Sequence, residues 1–280
     1  MRACLAAVQM DCELGKVKEN LDKAEKLIDS VKNLIIRGAT LFCLPELFST
    51  GYKLGKNFVR IAEDIPGRTS SRLCDIARNY GIYIVGGIAE KGDKSDVVYN
   101  TTVIISPGGE LLGKYRKIHL AGELERSVFT PGRKMSIFDT PFGRVGALVC
   151  YDQVFPELAR CLTLANCDII AHSSAWYTIE EEKRWIDAGN YYTSFLTTRA
   201  MENTVFWVSA NRVGVEDGLM FVGRSCIAAP WGKTLSILGD EEGVAIATID
   251  TEELSVWRKK FARYLKDRRP DLYRRFTPDI

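Results

Sequence analysis

The stretch "GRVGALVCYDQVFPELARC", residues 143–161, decides how this chain is read. An almost unbroken apolar run stops at Cys150, and Tyr151-Asp152 and then Phe155-Pro156-Glu157 follow. A short apolar run closed by turn residues reads as a buried strand. Proline at the head of "PELARC" reads as the first turn of a helix, predicted over 155–166. The thiol thus sits where a strand hands over to a helix. Free cysteine often fills cores as a small hydrophobe. A thiol at a helix N-terminus is also placed for nucleophilic chemistry, since the dipole there favours thiolate.

Outward from this stretch, strand and helix patterns alternate along the whole chain. "CLAAVQ" (4–9) and "ATLFCLPE" (39–46) read as buried strands. Between them "VKENLDKAEKLIDSVKNLIIRG" carries Leu21, Ala24, Leu27, Ile28 and Val31 on one helical stripe, with Gly38 as its stop. "TSSRLCDIARNYG" predicts a helix ended by Gly81, and "IYIVGGIAEK", "VVYNTTVIISP" and "ELLGKYRKIHL" predict neighbouring strands joined by tight turns. "DIIAHSSAW" is another buried strand, and "EEEKRWIDAGNYYTSFLTTRAMEN" reads as one long helix. After it come the strand "TVFWVSANRVG", a strand–turn–strand unit around "PWG", and a charged helix from Thr251. Buried runs of the parallel type mixed with hairpins predict a layered α/β sandwich with helices outside. No repeat or linker interrupts residues 1–280, so one domain is expected.

Bulk composition narrows the function. The chain has 280 residues, 46% hydrophobic and 26% charged, with 38 basic against 36 acidic side chains. A net charge of +2 gives no overall commitment to nucleic acid or to membranes. No apolar run approaches the roughly 20 residues that span a bilayer. The opening "MRACLAAVQMD" reads as a strand and not as a signal peptide, so a cytoplasmic protein is expected. Eight cysteines occur without a CxxC pair, and the histidines are only His119 and His172, so neither a zinc site nor a disulfide framework is expected. GxGxxG and GxxxxGK[ST] are absent, which removes the nucleotide-binding fingerprints.

Three polar residues stand at the ends of apolar runs: Glu46 closes "TLFCLPE", Lys117 lies in "GKYRKIHL", and Cys150 closes "VGALVC". If these strands share a rim, a carboxylate, an ammonium and a thiol meet there. Each has a plainer reading: core thiol, turn cap, solvated edge charge. Together they make coherent chemistry. A thiol near pKa 8.5 needs a base, glutamate can move the proton, and lysine can hold the oxyanion formed when sulfur attacks a carbonyl or nitrile carbon. The Tyr151 N–H would be a second donor. Asp152 reads as a turn or cap residue.

The motifs resemble those of the nitrilase superfamily, the carbon–nitrogen hydrolases. Its three blocks appear in order as "LFCLPELFSTGY", "GKYRKIHL" and "VGALVCYDQVFPE", followed by family-like blocks "TRAMENTVFWVSANRVG" and "GRSCIAAPWGKTL". The resemblance covers essentially the whole chain. It implies a four-layer α-β-β-α sandwich and hydrolysis of a non-peptide C–N bond by Glu46 as general base, Lys117 as oxyanion stabiliser and Cys150 as acyl-forming nucleophile, with no metal or organic cofactor. It also implies a second active-site glutamate within "AGELERSVFTPG". Glu123 and Glu125 are both candidates, and spacing to Pro131 favours Glu125. Nitrile-active relatives usually carry Trp-Glu after the cysteine. Tyr151-Asp152 here resembles the amidase and carbamoylase branches instead.

The expected activity is therefore hydrolysis of a small linear amide, with water as co-substrate and release of ammonia. An N-carbamoyl amine or amino acid is the alternative substrate, and a nitrile the weaker one. No arginine directly follows "CYDQ" to receive an α-carboxylate, and Arg160 is expected to face solvent. Tyr52, Tyr151, Trp176 and Tyr177 are the candidate substrate-binding residues. Within enzymes, the mechanistic rival is a Cys–His pair of Cys150 with His119 or His172, since His119 would share a strand face with Lys117. Outside enzymes, the basic, aromatic segment "SVWRKKFARYLKDRRPDLYRR" could make a binding module. Trp257, Phe261 and Leu265 recur every four residues, however, which predicts a buried stripe. The resemblance implies that the tail, about 251–280, lies at the interface of a homodimer or larger homo-oligomer.

Overall fold

In the computed structural model, which describes residues 1–52, 55–94 and 96–273, two six-stranded sheets stack face to face. The first runs β15-β1-β2-β3-β4-β5 and the second β14-β13-β10-β8-β7-β6. In the first, β1 (Arg2–Gln9), β2 (Thr40–Cys43) and β3 (Tyr83–Lys91) are parallel. Antiparallel β4 (Val98–Ile105) and β5 (Leu111–Arg116) extend one side, and β15 (Gly243–Asp250) the other. The second sheet repeats the plan. β7 (Gly143–Val149), β8 (Ile169–Ser173) and β10 (Phe206–Ala210) are parallel, flanked by antiparallel β6 (Ile137–Thr140), β13 (Cys226–Ala228) and β14 (Thr234–Ile237). A small third sheet joins β9 (Tyr177–Thr178), β11 (Val215–Glu216) and β12 (Leu219–Phe221).

Strand alternation builds the layers. On β1 and β2, Ala3, Leu5, Ala7, Leu41 and Cys43 face the second sheet, where Val145, Ala147, Val149 and Ile170 meet them. Their neighbours Ala6, Val8 and Phe42 face outward onto α1 (Val17–Ser30) and α3 (Arg68–Tyr80) through Leu21, Ala24, Ile28, Leu73 and Ile76. On the far side α5 (Pro156–Leu164) and α6 (Ala188–Asn203) cover the second sheet with Leu158, Leu162, Tyr192 and Leu196. The result is the expected α-β-β-α sandwich. Two short helices, α2 (Phe58–Ile61) and α4 (Gly122–Arg126), edge the site described below, and α7 (Thr251–Lys260) and α8 (Pro270–Tyr273) follow the last strand. Among the described residues, no helix is long and apolar enough to cross a membrane.

Several expected elements differ in extent. α1 stops at Ser30, and a single 3-10 turn (Lys32–Leu34) leads on to β2. Gly38, at φ +77°, serves that entry turn and not the helix end. The "long helix" begins only at Ala188, because Asp187 caps it by accepting from the Asn190 N–H at 3.0 Å; Glu180–Glu182 form a separate turn. In the tail, α7 ends at Lys260, and Leu254 and Ala262 supply the buried contacts. Phe261 is 67% exposed, so the predicted stripe is not buried within the chain. Residues 274–280 of the tail lie outside the described residues.

Candidate active site

The site gathers on the rim where β2, β7 and β8 end. Glu46 follows β2 by three residues and is buried at 1% exposure. Its backbone lies directly on β3: a Cβ added to Gly87 would stand 2.6 Å from the Leu47 nitrogen and 2.7 Å from the Glu46 Cα. Only glycine leaves room for this approach. The carboxylate is then fixed from three sides. Oε1 accepts from Asn100 Nδ2 on β4 (2.6 Å) and from Lys117 Nζ (2.8 Å), while Oε2 accepts from the Ala175 N–H after β8 (2.9 Å).

Lys117 lies one residue past β5, fully buried, and its ammonium is shared by two carboxylates. The second is Glu125 on α4, at 2.6 Å. Glu125 Oε1 also accepts from the Tyr52 hydroxyl (2.6 Å), and Oε2 from the Ala121 N–H (2.9 Å). Glu123 instead is exposed and pairs with Arg126 at the surface. Of the two candidate glutamates, Glu125 is the one that reaches Lys117.

Cys150 opens a 3-10 turn, Cys150–Val154, and its φ is +44°. That left-handed conformation is rare outside glycine and strained for a residue with a Cβ. It swings the side chain off the line of β7 into the cavity. Leu47, next to Glu46, is also left-handed at φ +48°. α5 starts only at Pro156, six residues after Cys150, so the expected placement of the thiol at that helix's N-terminus is not what is found. The dipole acts within a helix's first turn and does not reach back that far.

Hydrogen bonds lock the turn from beneath. Asp152 is buried and accepts from the Val149 N–H (3.0 Å), the Tyr115 hydroxyl (2.7 Å) and the His119 N–H (2.9 Å). It is the cap expected from sequence and a cross-link to β5 as well. Arg199 of α6 donates to the carbonyls of Gln153 and Val154 at 2.9 Å each. His172 Nε2 lies 3.0 Å from the Cys150 carbonyl oxygen, and its Nδ1 lies 2.6 Å from Ser209 Oγ, which in turn meets the Tyr192 hydroxyl. Burial lowers the His172 pKa to about 4, so the ring is neutral and donates to that carbonyl through Nε2. His119 pairs with Asp152 and stacks on Phe155. Neither histidine is arranged as the thiol's base, contrary to the Cys–His alternative. Arg160 is half-buried and donates to the Glu202 carbonyl, so the expectation that it faces solvent does not hold.

The electrostatics follow from burying two carboxylates around one ammonium. Burial raises the Glu46 pKa and the Glu125 charge adds to it, while Lys117 opposes both. Burial alone would lower Lys117, but Glu125 and Glu46 outweigh it and hold the ammonium well above its ordinary range. Burial and the Glu46 charge raise the Cys150 thiol well above its ordinary value. The resting site therefore holds a thiol and not a thiolate. Burial raises other core thiols similarly, Cys43 and Cys226 to about 12, but neither has a lysine beside it.

Above this floor lies a cavity of about 320 Å³. Tyr52, Tyr151, Trp176 and Tyr177, the four residues expected to bind substrate, all line it beside Cys150. Glu182, Ile186 and Tyr191 line it too and were not anticipated. Their only signal was position, in a segment that reads as helix. Asn100 was missed because it lies within a strand, where a polar residue reads as filler, and His172 was weighed only as a base for the thiol and not as a support of its turn. Among the described residues, no group of three His, Cys, Asp or Glu side chains is arranged to hold a metal ion.

The family model described as carbon–nitrogen hydrolase matches residues 4–259. The chain belongs to the carbon–nitrogen hydrolases. A nitrilase of Pyrococcus abyssi is 41% identical, with 96% of this chain and 98% of that protein covered. An omega-amidase of Xenopus tropicalis is 35% identical over 91% of each chain. Among solved structures, an amidase from Nesterenkonia sp. superposes with a TM-score of 0.81 at 27% identity, covering 98% of this chain and 96% of that one. In that amidase, a variant structure carries the acetamide moiety of fluoroacetamide added covalently to the active-site cysteine.

Proposed function

We propose that this carbon–nitrogen hydrolase cleaves the C–N bond of a small linear amide through a thioester on Cys150, releasing ammonia. One observation carries the reading: the buried Glu46–Lys117–Glu125 ion cluster adjoins the strained Cys150 turn at the floor of an aromatic-walled cavity. Cys150 attacks the amide carbon while Glu46 takes the thiol proton. Lys117 Nζ and the Tyr151 N–H, in the first turn of the 3-10 segment, hold the negative charge on oxygen. Collapse expels the nitrogen, Glu46 gives it the proton, and ammonia leaves a thioester behind. Glu46 then deprotonates water. The resulting hydroxide attacks the thioester, and the proton returns to sulfur with the carboxylic acid as product. Glu125 is a positioning residue that anchors Lys117 and orients Tyr52.

A base with a raised pKa suits this cycle, because Glu46 must be basic enough to accept from a thiol and acidic enough to give to nitrogen. The covalent adduct of the Nesterenkonia amidase supports a cysteine nucleophile, and the omega-amidase relative supports amides as substrates. The nitrilase relative supports a second reading in which the first attack falls on a nitrile carbon. An ammonia-release screen across aliphatic amides, carbamoyl amines and nitriles separates these readings. Turnover of amides with nitriles slower by at least about tenfold is expected; nitriles faster than every amide would overturn the reading. The same proposal includes a homo-oligomer assembled through the edge at Trp231, Trp257 and Phe261, whose rings adjoin one another while Phe261 stays largely exposed.

A further inference from the structure

We propose that the end of the substrate remote from the scissile amide carries a positive charge, read by Glu182 and the surrounding aromatic rings. The proposal rests on the amide-hydrolase reading and names the substrate class within it. Among the described residues that line the cavity, Glu182 is the one with a formally charged side chain, and none is a lysine or an arginine. Its Oε2 accepts from Thr178 Oγ1 at 3.2 Å. Among the described residues, no cation forms an ion pair with it. Lys183 pairs with Glu180 instead, and Arg184 lies over the Trp185 ring.

The buried ion cluster around Cys150 has the same sign. Glu46 and Glu125 together outnumber Lys117 by one charge while the Cys150 thiol is protonated. A carboxylate-bearing amide entering this cavity meets net negative charge from the ion cluster and from Glu182. The arginines that could offset it are already committed: Arg199 donates to the backbone of Gln153 and Val154, and Arg160 to the Glu202 carbonyl. An ammonium group meets the opposite situation. Glu182 attracts it, and Tyr177, Trp176 and Tyr191 line the cavity with aromatic rings, a kind of wall that favours a cation. A primary amide or carbamoyl group at one end and an amine at the other is the chemistry that fits.

The test compares three primary amides of equal chain length, ending in an amine, a methyl group or a carboxylate, with ammonia release as the readout. Wild-type kcat/KM is expected to fall in the order amine, methyl, carboxylate, with the amine favoured over the methyl compound by about tenfold. In Glu182→Gln that ratio should collapse toward one, mostly through KM, because the charge is remote from the reacting carbon. Added salt should narrow the wild-type ratio. A flat or reversed series with the methyl compound still turned over overturns this inference and leaves amide hydrolysis standing. An amine preference unchanged in Glu182→Gln overturns it too. No ammonia from any of the three overturns both.

Discussion

Cys150 is held in a conformation that a side chain rarely adopts, and its thiol is protonated at rest. In the proposed mechanism nucleophilicity then depends on Glu46 at the moment of attack. Glu46→Gln keeps the shape and removes the base, so kcat should fall by about 10²–10⁴. Lys117→Ala removes an oxyanion donor and should lower kcat by about 10²–10³. Full retention in either variant, measured on the best amide, would contradict the assigned role. The pH profile carries a matching signature. Because burial raises the Glu46 pKa, the base is protonated and activity is lost, as pH falls, at a point above the ordinary glutamate value of about 4.3. Lys117 is held above its ordinary range, so it imposes no loss between neutral and mildly alkaline pH. An acid limb of kcat/KM at or below the ordinary glutamate value would contradict the raised base.

At the scale of elements, the nucleophile turn is fixed by β8 and α6 as much as by its own residues. His172 on β8 must be neutral to donate to the Cys150 carbonyl, and its folded-state pKa is near 4 against 6.5 for an exposed ring. Between those values the unfolded chain binds the extra proton, so stability falls as pH drops through this window, by about 3 kcal/mol at most. Urea unfolding in steps across the window should show that slope, and His172→Gln should flatten it. An equal slope in the variant would contradict the assignment. The cavity wall has a comparable anchor. Arg212, 1% exposed, bridges Glu216 (2.8 Å) and Asp11 (3.2 Å), and Glu216 receives the Tyr52 N–H. Arg212→Ala removes the guanidinium that pairs with the buried Glu216 carboxylate and should cost about 3–5 kcal/mol in chemical denaturation. The main strands and their layer order were legible in the sequence because alternation and helical stripes report burial directly. Turn geometry was not. Whether Cys150 begins a 3-10 turn or an α-helix depends on Asp152, Tyr115 and Arg199 meeting from three different elements, and no local pattern records that meeting.

Across the whole molecule, pairing two sheets of the same plan brings Glu46 and Lys117 of one sheet against Cys150 of the other. The sequence showed these three residues at the ends of apolar runs, and blocks of that kind resemble one family strongly enough to name their partners. It did not show Asn100 or Glu182, nor that His172 supports the nucleophile turn, because those roles depend on distances between strands and loops far apart in the chain. The proposed assembly is likewise a property of the surface. Phe261 leaves the chain's own core, so a size-exclusion column with light scattering should find a dimer or larger species, and Phe261→Asp should shift it toward monomer. A wild-type monomer at micromolar concentration would contradict that assembly. The central claim, that an amide's acyl group passes through sulfur on Cys150, is tested most directly by rapid acid quench during turnover followed by peptide mass spectrometry. The account predicts the substrate's acyl mass on the peptide bearing Cys150 and its disappearance in Cys150→Ala; ammonia release by Cys150→Ala at the wild-type rate, or the adduct on another cysteine, would contradict it.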